Sequence, residues 1–112
     1  MSIEVTGRHM HATQTTQDEA RDKAKLLMAE FPMIENIHVI LDVEKHRKIA
    51  ELVVRVKHHG IVEAKDSSDN LLVSLDMATE KVEKQLRKFL DKLQDHKPAM
   101  KQSETARSAV RG

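Results

Sequence analysis

Residues 69–96 read DNLLVSLDMATEKVEKQLRKFLDKLQDH, and their spacing predicts one long helix with three distinct faces. Leu71, Leu75, Ala78, Val82, Leu86, Phe89 and Leu93 recur at steps of three and four. At 100° per residue they form one narrow apolar stripe that needs a core to pack against. The charges on either side of it are sorted by sign. Lys81, Lys84, Lys88 and Lys92 share one flank, whereas Asp76, Glu80, Glu83 and Asp91 share the other, with Arg87 among them. A helix that needed only solubility would gain most by mixing signs at i,i+4 spacing, so a segregated cationic edge points to an anionic partner.

Outward from this stretch the chain reads as alternating short elements. Asp66, Ser67, Ser68 and Asp69 supply a turn before the helix, with Ser68 or Asp69 as its N-cap. Upstream, three apolar alternations predict strands. Ile37, Val39, Leu41 and Val43 oppose His38 and Asp42, with Ile40 out of pattern. Ala50, Leu52, Val54 and Val56 oppose Glu51, Arg55 and Lys57, with Val53 out of pattern. Val62 and Ala64 follow Gly60. Lys45 to Lys48 form a charged turn between the first two of these strands. Near the N-terminus, Ile3 and Val5 mark a strand closed by Gly7. Thr13, Thr15 and Thr16 offer N-caps to a second amphipathic helix, about 16–30. This helix has Asp18 and Glu19 in its first turn and Ala20, Ala24, Leu27 and Phe31 on its buried side, and Pro32 ends it.

The order strand, helix, strand, strand, strand, helix defines an α+β fold, β-α-β-β-β-α. The helical crossover makes the first two strands parallel, and the short later connections make the rest antiparallel. The result is a four-stranded mixed sheet whose apolar face carries both helices. Residues 1–96 form the folded domain. Residues 97–112, KPAMKQSETARSAVRG, read as a flexible basic tail.

Composition narrows the function. At 112 residues and 39% apolar content the chain can bury one modest core. It has no cysteine, so disulfide and thiolate chemistry are excluded. No signal-peptide pattern and no membrane-length apolar run is present, which makes a soluble cytoplasmic protein the expectation. The total charge is +1. The last sixteen residues hold four cations against Glu104, so the body stands at −2, and any anion binding by the folded part must come from local arrangement.

Catalytic and metal chemistry find little support. His58 and His59, read as neighbours in a strand, point to opposite faces, and His9 with His11 lacks a third ligand for zinc. With Gly7, Gly60 and Gly112 the only glycines, no phosphate-cradling loop can be built, and no serine sits in a nucleophile elbow. We therefore expect no enzyme activity, no cofactor and no metal. Phe31 and Phe89 are the only aromatics and both fall on core faces. That leaves no platform for stacking unpaired bases, but it leaves open recognition of structured RNA through its shape and phosphates.

Three segments, IEVTGRHM (3–10), NIHVILDVEKHRKIAELVVRVKHHGIVEAKDSS (36–68) and EKVEKQLRKFLDKLQ (80–94), closely resemble the ribosome hibernation promoting factor and ribosome-associated inhibitor family, also called sigma-54 modulation proteins. The most specific match is Lys81-Val82-Glu83-Lys84-Gln85-Leu86. The resemblance implies a two-helix, four-stranded fold related to double-stranded RNA-binding domains. It also implies a place on the small (30S) ribosomal subunit, in the channel for messenger RNA and the A- and P-site transfer RNAs. A protein bound there silences and preserves ribosomes in stationary phase or stress. The implied partners are the small subunit and its 16S rRNA, with a ribosome modulation factor as a further partner; the implied state off the ribosome is a monomer. On this reading the rRNA-binding set is Arg8, Lys23, Lys25, Lys81, Lys84, Arg87, Lys88 and Lys92. Length suggests the short form of the family.

Two departures stand out: Asn70, Leu71 and Leu72 replace a common aspartate, methionine, tyrosine run, and Leu26 replaces a common basic residue. Two other readings compete. One is a protein-interaction module modulating transcription through the open sheet face or the acidic helix flank. The other is a generic structured-RNA binder.

Overall fold

The computed structural model describes residues 2–94. The chain forms β1 (Ser2–Arg8), α1 (Gln14–Glu30), β2 (Ile34–Glu44), β3 (Arg47–Val56), β4 (Gly60–Ser68) and α2 (Leu71–Gln94), the order expected from the sequence. The sheet runs β1-β2-β3-β4, parallel between β1 and β2 and antiparallel thereafter. The side chains of Leu93 and Gln94 and residues 95–112, including the expected tail, lie outside the described residues.

Burial follows the two periodicities. Ile37, Val39 and Leu41 of β2 and Ala50, Leu52, Val54 and Val56 of β3 are buried on one face. They meet Ala20, Ala24 and Leu27 of α1 and Leu75, Ala78, Val82 and Leu86 of α2. Phe31, directly after α1, joins the same core. The helices are therefore on one side of the sheet, with α1 beside β1 and β2 and α2 across β3 and β4. Each outer strand is tied down by a helix side chain: Arg21 of α1 donates to the Ile3 carbonyl at 3.2 Å, and Gln85 of α2 donates to the Glu63 carbonyl at 3.1 Å.

Several boundaries differ from the local reading. β1 does not stop at Gly7 but pairs through Gly7↔Leu41 to Arg8↔Asp42. Gly7 is needed because the following loop crosses it: a Cβ there would lie 2.6 Å from the Met10 carbonyl oxygen. α1 starts at Gln14, with Thr13 as N-cap accepting from the Thr16 N–H, so Asp18 and Glu19 fall beyond the first turn. The N-cap of α2 is neither Ser68 nor Asp69 but Asn70, whose Oδ1 accepts from the backbone N–H of Leu72 at 3.0 Å and of Val73 at 3.3 Å. Buried Ser74 then locks the helix start to β3 by donating its hydroxyl to the Lys48 carbonyl at 2.7 Å.

The β2–β3 turn is only Lys45–His46, with Lys45 at φ 59°; Arg47 and Lys48 already belong to β3. His58 and His59 are not in a strand but in the turn closing β3 onto β4, which requires His58 at φ 65° and Gly60 at φ 102°. Ile40 and Val53, the two residues that broke alternation, face the open side of the sheet. Ile40 is nevertheless buried there, at 8% exposure, between Thr6 and Glu51 in the ladder.

Two substitutions test this packing by urea denaturation. Leu86→Ala, at a fully buried position, should cost about 2–5 kcal/mol. Gly7→Ala should cost about 1–3 kcal/mol, because backbone rather than a flexible side chain must move.

Candidate nucleic-acid interface

With the apolar stripe of α2 against the sheet, its two flanks face different neighbours. The cationic flank lies toward β4. Lys81 pairs with Asp66 of β4 at 2.9 Å, and Lys88 and Lys92 border a shallow hollow with Val62 of β4. The opposite flank lies toward α1. Asp76 pairs with Lys23, and Arg87 bridges Glu30 of α1 and, at 3.4 Å, Glu83 of its own helix. The Arg87 guanidinium also sits over the Phe31 ring, 5.9 Å from its centroid. The sorting of charge thus has two causes. One flank is used for cross-helix pairing, and the other projects to solvent.

The candidate cations do not form one patch. Lys84, Lys88 and Lys92 are exposed and make no ion pair among the described residues; Lys81 shares their flank with its charge partly offset by Asp66. Lys23 and Arg87, expected among the RNA contacts, pair with carboxylates in the cleft between the helices. Lys25 is exposed on α1, on the flank away from Lys23. Arg8 falls on the open side of the sheet, lining a hollow of about 220 Å³ with Ile40, Ile49, Glu51 and Lys65. Its position follows from strand parity once β1 runs through Gly7. The exposed Leu26 lines the interhelical cleft with Leu27, Thr79 and Glu83.

Titration follows these pairings. The Lys81 ammonium, helped by the Ser67 N–H, holds the Asp66 carboxyl below its usual range. Arg87 does the same to Glu30 and is itself pushed up by it. Glu83 moves the other way, raised by burial and by the neighbouring Glu30 carboxylate. On the open face, His9 Nδ1 lies 3.0 Å from Asp42, and that contact, with the Val43 N–H and Arg8, lowers the Asp42 carboxyl.

Sequence reasoning missed one feature. Phe31 is buried as expected, but Phe89 is only partly so, and His59 from the β3–β4 turn meets it edge-on, with centroids 4.8 Å apart and planes at 77°. No local signal joins residues thirty positions apart, although an aromatic near the C-terminal end of an apolar stripe could have drawn attention. No group of three or more His, Asp or Glu able to hold a metal occurs among the described residues, and none of their helices is long and apolar enough to cross a membrane.

The mixed four-stranded sheet with both helices on one face belongs to a known family: residues 3–94 match the model of the sigma 54 modulation protein / S30EA ribosomal protein family, and the chain belongs to that family. Among individual relatives, it is 28% identical over 94 residues to a ribosome hibernation promoting factor of Pseudomonas putida, covering 84% of this chain and 91% of that one. It is also 28% identical over 96 residues to the factor of the same name from Klebsiella oxytoca, covering 86% of this chain and all of the other. A ribosomal subunit interface protein from Coxiella burnetii superposes with a TM-score of 0.75 at 25% identity, over 81% of this chain and 99% of that one. The N-terminal domain of Thermus thermophilus Protein Y shares the fold, with a TM-score of 0.70 at 24% identity over 80% and 99% of the two chains.

The Lys81–Asp66 pair predicts a pH effect. Because the folded-state Asp66 carboxyl is lowered, its contribution is present above the unfolded carboxylate pKa of about 3.9 and is lost as pH falls through the folded value. Glu83, being raised, acts in the opposite sense and over a higher window, from its unfolded value of about 4.3 upward. Lys81→Met should therefore show a smaller drop in urea midpoint between pH 7 and pH 3 than the parent protein.

Proposed function

We propose that this protein is a cytoplasmic ribosome hibernation factor. In stationary phase or stress it binds the small ribosomal subunit in the channel used by messenger RNA and the A- and P-site transfer RNAs, silencing and preserving idle ribosomes. The observation that carries this reading is the solvent-facing ridge of Lys84, Lys88 and Lys92, extended by Lys81, on a body whose net charge is otherwise negative. Family membership and relatives named ribosome hibernation promoting factors support it.

The mechanism is occupancy. Ammonium groups spaced along one helix edge meet successive phosphates of 16S rRNA and release their counterions, and no bond is made or broken. Lys25 and Arg8, on separate surfaces, would add contacts only if rRNA wraps the domain. Lys23 and Arg87 act chiefly by fixing the angle between the helices, and so the aim of the ridge. Off the ribosome the protein is a monomer, and a ribosome modulation factor is a further partner in the same hibernating particle.

Sucrose-gradient co-sedimentation with purified small subunits tests the ridge. Lys84→Glu combined with Lys88→Glu should abolish association while leaving the circular dichroism spectrum unchanged. The log–log salt dependence of residual binding should flatten by about 1 for each lost phosphate contact. Association at the parent level would overturn the proposal, as would failure of the parent protein to arrest synthesis in a translation extract.

A further inference from the structure

Resting on that reading, we infer that the C-terminal part of the lysine ridge holds a pocket for one unpaired RNA base. Between α2 and β4 lies a hollow of about 250 Å³, lined by Val62, Gln85, Lys88, Phe89 and Lys92. Its exposed lining is mostly apolar, yet two ammonium-bearing side chains border it. Phosphate contacts alone make no use of an apolar floor. A nucleotide turned out of its stack does, because its base needs an apolar or aromatic surface while its phosphates need cations.

The ring system fits this division. Phe89 is packed against the core on one side and reaches the hollow with the rest of its surface. His59, exposed in the β3–β4 turn, stands nearly perpendicular to it. Phe89 supplies the surface against which a planar base can stack, and His59, outside the lining of the hollow, braces that ring from the turn. Gln85 donates one amide N–H to the Glu63 carbonyl, which fixes its side chain beside the hollow and leaves its amide oxygen for a base edge. Lys88 and Lys92, one helical turn apart, flank the site where the sugar–phosphate chain would pass.

A paired duplex cannot enter such a site, because its bases are stacked inside the helix. The pocket therefore gives the protein a preference for RNA with a bulged or looped-out nucleotide over uniform duplex, a distinction that the lysine ridge alone cannot make.

The test compares binding of the full chain to an RNA hairpin carrying a single bulged adenosine with binding to the same hairpin fully paired. The parent protein should prefer the bulged hairpin by about 5- to 100-fold, and its His59 ring-proton resonances should shift with that RNA only. His59→Ala, and Phe89→Leu as a variant that keeps apolar packing, should each lose most of this preference. Equal affinity for the two hairpins with unmoved His59 resonances would overturn the pocket, even if the protein still co-sediments with small subunits. A hollow that served an apolar protein side chain would give that result. A clear bulge preference without small-subunit association would uphold the pocket while overturning the ribosomal reading.

Discussion

Burying one apolar stripe of α2 against β3 and β4 is the constraint from which the rest of this molecule follows. Once Leu75, Ala78, Val82 and Leu86 are fixed on the sheet, the helix has no rotational freedom left. Every other side chain along its 24 residues is then assigned to a flank. The flank over α1 is balanced chiefly across the cleft, where Lys23 and Glu30 meet Asp76 and Arg87, with Glu83 of α2 sharing Arg87. The flank over β4 meets a shorter neighbour. Asp66 answers Lys81 near the start of the ridge, and beyond it β4 supplies Val62 to Lys88 and Lys92 rather than a carboxylate. The exposed cations are what remains after the internal pairings have been made.

This explains how a domain with net negative charge can present a cationic edge. The carboxylates contributing to that negative total are not distributed evenly around α2. Asp76 and Glu83 are drawn into the interhelical cleft, and Asp66 is drawn to one end of the lysine row. A phosphate chain approaching from the β4 side meets ammonium groups within one Debye length, while Asp76 and Glu83 lie on the side facing α1. Local geometry, not total charge, sets the field that such a partner encounters.

Much of this was legible in the sequence, and the parts that were not share a physical reason. The apolar stripe, the order of elements, the parallel crossover and the segregation of lysines along α2 all follow from spacing within one element, and spacing is a local property. The fate of Lys23 and Arg87 is not local. Arg87 finds Glu30 across 57 residues, and nothing in either neighbourhood distinguishes that pairing from solvation. The place of Arg8 is hidden for a subtler reason. Reading Gly7 as a strand end hides that the ladder continues through it, and one more strand residue sends Arg8 to the open face. Asn70 escaped notice beside Ser68 and Asp69 because all three are good caps, and only the chain's entry angle selects among them. His59 and Phe89 meet only because the β3–β4 turn folds over the last turns of α2.

The lysine ridge also has to be reconciled with helix stability. Lys84–Lys88 and Lys88–Lys92 are like-charge i,i+4 pairs, and each costs about 0.2–0.5 kcal/mol in an isolated helix. Lys92, in the last turn, recovers part of this through the negative end of the helix dipole. The remaining cost is below 1 kcal/mol on those figures, whereas burying one leucine such as Leu86 contributes about 1.5–3 kcal/mol. An isolated peptide would carry the repulsion along this lysine row with no packing to offset it, but a helix held by four fully buried side chains can carry it. The same reasoning explains why the ridge is on the longer helix. α1 buries smaller residues, Ala20 and Ala24 beside Leu27, and has less burial to set against repulsion; two of its three cations, Arg21 and Lys23, are tied to an acceptor, the Ile3 carbonyl and Asp76.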